Sequence, residues 1–474
     1  MNLFLVLAVV VLVSSCGKSK VDQIEQEIRS AGGKLTFEEL NVTPSQPLSE
    51  EYLEFKKAVK TLKEAHKKTN LPSLSSYVET DYHAKYYRIS EVEPFDENEK
   101  VIAWEEVHRR YQPVLEAYKE CQSIWRGNDI QVFPEYEKGA SCPISHASVN
   151  LDLGKISSDI VYLKVQSGDL QGAIEVVAFA KEVFSRLHHP RVYMLIEGLI
   201  GVTLNGILHA ASWQIVESPG VAAHDLDHLW SVWRQDPSAI NMLADSFEGE
   251  RLVFLHHAWL SLEQDFQELS WIDLFGKSEV NLGSKLSLLK DKLLLKLIYY
   301  PFWIDTDKAY SMRVLWETHQ EVVAMQSNPK SLSDGLAEIR AIQEDVNNKI
   351  HTFPQMKYVF SEMVLPANQG AVEKFLFFEL RTNQLCLAIQ LRKAHLENRR
   401  YPMDLKLMEN AVDQMNGDTM VYNLDESGEY KLYSVAFNGI DDGGAWTFYK
   451  DEEGGKKVRE DRSPDWLWPR PLKK

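Results

Sequence analysis

Residues 156–187 read ISSDIVYLKVQSGDLQGAIEVVAFAKEVFSRL, and the fold class turns on them. Ile156, Ile160 and Leu163 fall on one face of a helix, Ser167, Gly168 and Asp169 interrupt it, and Leu170, Ala173, Val177, Ala180, Phe184 and Leu187 build a second apolar face at alternating spacings of three and four. Gly168 supplies the backbone freedom that a helix end requires, and Asp169 is suited to cap the helix that follows. The stretch is therefore a helical hairpin, and one apolar stripe on each helix demands further helices to cover it.

Working outward, the same periodicity predicts a helix over 49–70, with Ser49 as N-cap, Glu50 and Glu51 in its first turn and Lys67 and Lys68 in its last, charges that suit the helix dipole. A second is expected over 97–123, kinked or divided by Pro113, and 128–148 reads as irregular. Downstream, helices are expected over 191–217, 225–234, 237–267, 280–299, 310–325 and 333–349, with Trp213, Trp230, Trp233, Trp259, Trp271 and Trp303 as core or groove anchors. The run from Lys285 to Ile304 is apolar, but Lys290, Lys292, Lys296 and Pro301 interrupt it, so burial of an amphipathic helix accounts for it better than insertion. From Pro366 the character changes. A long helix over 371–398 ends before Arg400, Tyr401 and Pro402, a short helix is expected over 405–415, and 420–423, 430–435 and 446–449 read as three short antiparallel strands. The expected class is mainly α: a multi-helix array with repeat-like helical hairpins, followed by a small α+β C-terminal module.

Composition sets bounds on function. With 474 residues, 44% apolar and 26% charged, the chain is long enough for two or three globular domains. Its formal net charge of -17 argues against a nucleic-acid partner, because phosphate contact needs a local excess of Lys and Arg.

Leu3 to Val13 is an unbroken apolar run, too short to span a bilayer comfortably, and Val13, Ser14, Ser15 and Cys16 follow it. V-S-S-C resembles a bacterial lipobox, in which the Cys16 thiol accepts diacylglycerol; no Lys or Arg precedes the run, and the alternative is an ordinary signal peptide with a cysteine near its end. Gly17, rather than Asp, follows the cysteine, and the resemblance then implies the outer membrane, facing the periplasm. Residues 18–47 are polar and read as a tether, with one short helix over 21–30, that lifts the folded part off the membrane. The expected organisation is a signal peptide over 1–15, a lipid anchor and tether over 16–48, a helical domain over 49–365 and the α+β module over 366–474. In an oxidising compartment Cys121 and Cys142 are near enough in sequence to form a disulfide; the alternative is that these two and Cys386 are buried thiols.

Three resemblances add to this reading. SGDLQGAIEV, 167–176, resembles the turn of tetratricopeptide-type repeats, although the large residues of a full repeat are not spaced throughout the chain. The segment 385–444, with Tyr401-Pro402 after its helix and LYSVAFNGIDDGG at 432–444, resembles the globular domain of the major pseudopilin of type II secretion systems. The helical part resembles lipoproteins and membrane-anchored proteins of planctomycetes through Phe133-Pro134-x-Tyr136-x-x-Gly139, Gly168-Asp169 and Glu248-Gly249-Glu250-Arg251. A pseudopilin begins with a membrane helix that packs its filament, whereas here a lipobox and helices precede the module, so filament assembly is not expected. The pseudopilin resemblance implies a calcium loop in which Asp441 and Asp442 match, Asp465 stands where a later acidic residue falls and Asn438 adds an oxygen. The alternative is a plain acidic turn. The resemblances imply architecture and bring no activity.

Catalytic candidates are histidines. His224, Asp225, Asp227 and His228 form HDLDH, whose spacing of four places both imidazoles on one helix face, as a divalent metal could use, with His188, His189, His256 and His257 as further ligands. No glutamate stands in the general-base position of HExxH zinc proteases, and Asp225 is equally suited to cap a helix beginning beside it. Glu248, Glu250 and Arg251 suggest an internal ion pair. No Gly-rich phosphate loop, serine nucleophile elbow or catalytic Cys/His spacing is present. The leading expectation is a non-enzymatic, membrane-anchored periplasmic scaffold for a protein or peptide partner; the other is a metal-dependent hydrolase using the helical histidines.

Overall fold

The computed structural model describes residues 19–36, 38–40, 47–71, 74, 104–132, 134, 144–187, 194–234, 238–252, 303–327, 332–350, 355–358, 361–362, 365, 368–444, 448–450, 456–458 and 465–468. Expectations for Cys16 and its lipobox, Cys142, His188, His189, His256, His257, the helix over 280–299 and the end of the helix over 237–267 lie outside the described residues. Among those described, the helices are α1 (Lys20–Ser30), α2 (Glu50–Lys68), α3 (Trp104–Gly127), α4 (Ser145–Gln166), α5 (Leu170–Leu187), α6 (Leu195–Glu217), α7 (Ala223–Trp233), α8 (Ala239–Leu252), α9 (Ile304–Ser327), α10 (Leu332–Ile350) and α11 (Asn368–Asn398). The strands are β1 (Val421–Leu424), β2 (Tyr430–Ser434), β3 (Phe448–Lys450), β4 (Lys456–Val458) and β5 (Trp466–Trp468). The chain is mainly α with a small α+β C-terminal part.

The hairpin forms as its residues dictate. Gly168 takes φ 77°, its N–H reaching Val165 O at 3.0 Å and that of Asp169 reaching Lys164 O at 2.9 Å, which closes α4. Asp169 Oδ1 then accepts Gly172 N–H at 3.0 Å and opens α5, and the Lys164 ammonium bonded to its other oxygen holds this carboxyl below the usual carboxylate range. All nine apolar residues that set the two faces are buried.

Because α2, α5 and α6 all pack on α4, this helix is covered on several sides and its polar residues must find partners inside. Asp159, with no exposed surface, takes His66 Nε2 from α2 at 2.7 Å and the Tyr111 hydroxyl from α3 at 3.3 Å. Ser157 meets the Tyr118 hydroxyl at 2.8 Å, and His146 Nε2 lies 2.8 Å from Glu197 of α6. Of the two outcomes expected at Pro113, a kink or a division, α3 shows no division and runs through it as one helix. Buried Tyr111, Val114, Tyr118 and Trp125 hold its two halves on one face, so packing outweighs the bond that proline removes.

α6 is, among the described residues, the one helix long and apolar enough to cross a membrane. In the array it packs against α4, α5, α8 and α11. Two of its polar side chains find partners across the array: His209 Nε2 lies 3.0 Å from the Thr382 hydroxyl, and Ser212 accepts Trp233 Nε1–H at 2.9 Å.

Within the stretch read as a tether, residues 19–36 and 38–40 are docked instead. Ser19 caps α1 by accepting Asp22 N–H at 3.0 Å, Ile24 and Ile28 are buried, and α1 packs along α9. Gly33 then passes so close to the Trp316 ring that an added Cβ would stand 2.6 Å from it, and Glu39 ties the turn to Arg29 and to Leu35 N–H.

In the C-terminal part β2 is central, antiparallel to β1 and to β5, with Val421 opposite Tyr433 and Tyr433 opposite Leu467. Two expectations are corrected here. The third strand of this sheet is β5, whereas 448–450 belongs to a separate hairpin with β4. Residues 405–415 form turns rather than a helix: Asn410 sits at φ 64°, and Val412 bridges Thr419. Buried Asp413 organises that turn, its carboxylate accepting Met415 N–H, Ser434 Oγ–H and Val435 N–H, each at 3.0 Å, while burial raises its pKa.

Candidate functional site

Helix α7 is short and amphipathic, so its two sides serve different neighbours. His224 and His228 do lie one turn apart. His224 is 80% exposed with Nε2 3.4 Å from Asp225, and His228 Nδ1 meets Gln171 Nε2 of α5 at 3.1 Å. Asp225 Oδ2 accepts Ala222 N–H at 3.0 Å, which makes it the helix cap. Among the described residues no three His, Cys, Asp or Glu converge as a metal site would need. Of the expected ion pair, Glu248 is the carboxylate whose charge acts on Arg251, while Glu250 turns elsewhere. Glu250 accepts Leu195 N–H at 2.9 Å, and its pKa is pushed up to about 7, first by burial and then by Glu197, whereas the Arg251 guanidinium lies 5.2 Å from the Trp316 ring.

The opposite side of α7 faces a groove of about 430 Å³, walled by Leu226 and Trp230 of α7, Ile389 and Lys393 of α11, and Leu407 and Met408 of the loop after α11. Lys393 Nζ reaches Asp227 Oδ1 at 2.6 Å at the rim, a contact that raises the lysine pKa. The loop wall is fixed at both ends. Tyr422 OH donates to Pro402 O at 2.7 Å, while Gln390 gives its amide N–H to Glu409 O at 3.1 Å and accepts Glu409 N–H at 3.2 Å. On this pinned backbone Leu407 is 100% exposed and Met403 82% exposed. A smaller hollow of about 230 Å³ shares Glu409 and continues between α11 and the start of α8. There Glu379, its pKa raised by burial, accepts Ala239 N–H at 2.6 Å and the Ser238 hydroxyl at 3.0 Å, capping α8 from another helix. The tryptophan pattern pointed to Trp230; the loop wall had no signal, because 405–415 reads as helix and its apolar residues then belong to a core.

The acidic loop is assembled around its own donors. Asp441 Oδ1 accepts Tyr433 OH at 2.9 Å and Gly443 N–H at 2.8 Å, Asp442 accepts the Asn438 amide at 2.7 Å, and Asn438 Oδ1 accepts Ile440 N–H at 3.0 Å. Asp465 is fully buried and takes Gly444 N–H at 2.7 Å, which brings it to the loop. Beside the loop the Lys431 ammonium donates to Gly443 O at 2.5 Å. One oxygen each of Asp441, Asp442 and Asn438 is thus engaged by an N–H or O–H group, and a lysine bonds the loop backbone. Cys121 is a buried free thiol of α3, its pKa pushed up to about 12 by burial.

Compared with known proteins, the chain matches no family model, no curated protein and no solved structure.

Proposed function

We propose that this chain is a lipid-anchored protein of the bacterial cell envelope, attached through Cys16 to the outer membrane and facing the periplasm, that acts without catalysis by holding a protein or peptide partner in the groove between α7 and α11. One observation carries the reading: a fully exposed leucine, Leu407, stands over an apolar groove on a backbone fixed at both ends. An apolar anchor that is already ordered loses little entropy on contact, which is where affinity is gained. The rim carries Asp227, Glu397 and Glu409 against Lys393, and the chain is acidic overall, so the partner segment is apolar with basic flanks.

The test is a photo-crosslinker at position 407 in full-length protein, in detergent-solubilised envelopes. One polypeptide should be captured, and unlabelled wild type, but not Leu407→Asp, should compete it away. Equal competition by the two proteins would sink the reading.

A further inference from the structure

The docking of α1 fixes more than the first helix. We propose that the first turns of α1 and α9 form the face that lies on the bilayer, with the C-terminal α+β part presented away from it; this rests on the lipid anchor at Cys16 proposed above.

Ser19 is already the N-cap of α1, and only three peptide links separate it from Cys16, a reach of about 10 Å at full extension. Nothing after Ser19 adds slack, because α1 is bound at its first turn. Lys20 N–H donates to Asp305 Oδ2 at 2.8 Å and Lys20 Nζ to Thr306 Oγ1 at 3.0 Å. Further along, Arg313 reaches Glu27 at 3.0 Å and Gly33 packs on Trp316. These pairs advance together along both helices, so α1 and α9 run parallel with their N-termini at one end. That end also holds Trp303 and Lys308, half-buried side chains of the kinds that favour a headgroup layer, beside the first-turn acids Asp22, Asp305 and Asp307.

The opposite end is fixed by α10. α9 has 24 residues, about 36 Å at the helical rise. Beyond it, at the start of α10, Leu332 N–H donates to Gln414 O at 3.1 Å, and Ser333 N–H and Oγ–H donate to Met415 O at 3.2 and 2.6 Å. The turn that carries Asp413, and the sheet it organises, therefore sit about one helix length from the lipid.

The test places a fluorophore on lipidated full-length protein in vesicles that contain a headgroup acceptor, at Lys308→Cys or at Asn416→Cys, on a Cys142→Ser background whose Cys121 and Cys386 are buried. Transfer from position 308 should exceed that from 416 several-fold. Ten Gly/Ser residues inserted between Gly17 and Lys18, which leave the folded part untouched, should erase most of that difference. Equal transfer from both positions in protein that incorporates palmitate overturns the orientation alone. Absence of palmitate incorporation overturns the anchor and the orientation together.

Discussion

The carboxylate of Asp305, in the first turn of α9, accepts the backbone N–H of Lys20 at 2.8 Å, so one side chain caps a helix 285 residues earlier in the sequence. Its other oxygen faces Val21 N–H at 3.5 Å. Asp305→Ala should cost about 1–2 kcal/mol, the range of a lost cap. Hydrogen exchange should speed up over 20–30 and stay unchanged over α5. Ile28→Ser, which gives up roughly 1.5–3 kcal/mol of apolar burial, should release the helix further.

Stability should carry a signature of Glu250. Its folded pKa of about 7 lies above the ordinary carboxylate value of 4.5, so between those pH values the folded state holds a proton that the unfolded state has lost. Stability therefore falls as pH rises through this window, and the full penalty, about 3–4 kcal/mol, stands above pH 7. His319, buried and depressed to about 4, acts in the opposite sense, losing stability as pH falls from the ordinary imidazole value of 6.5. The readout is thus the difference curve: Glu250→Gln should match wild type near pH 4.5 and exceed it at pH 8. A difference that does not change with pH would contradict the assignment.

Asp413 should be the most sensitive position of the C-terminal part. Alanine there leaves Met415 and Val435 N–H and the Ser434 hydroxyl without their acceptor. The expected loss is about 2–4 kcal/mol, read as a drop in denaturant midpoint, with asparagine losing less because it keeps one carbonyl oxygen.

The acidic loop should be indifferent to calcium. With Lys431 bonded to Gly443 O and one oxygen each of Asp441 and Asp442 already holding a donor, melting temperatures in calcium and in chelator should agree. A rise of several degrees in calcium, lost in Asp441→Ala, would show instead that the loop opens to bind it.

How much was legible follows from the range of each signal. The hairpin at 156–187 was readable because its stripe and its Gly168-Asp169 turn are local, and both act within a few residues. Helix 405–415 was misread because what defeats it is distant: Gln390 of α11 holds Glu409, and Ser434 and Val435 hold Asp413. The docking of 19–40 was hidden for the same reason, since Ile24 and Ile28 are too few to signal a core helix until Trp316 and Asp305 are placed beside them. At the groove, Trp230 was visible as an aromatic in a helix. Leu407 was not, because a leucine at helical spacing reads as buried.

Helix α11, which closes against α6, α7, α8 and α10, is the last α-helix in the described chain. Its bonds reach back to Ser238 and His209, across 141 and 173 residues. During synthesis, the seams it fills stay open until most of the polypeptide exists, so the middle helices wait half-covered, and any truncation before residue 398 leaves their apolar faces to chaperones, proteases or one another.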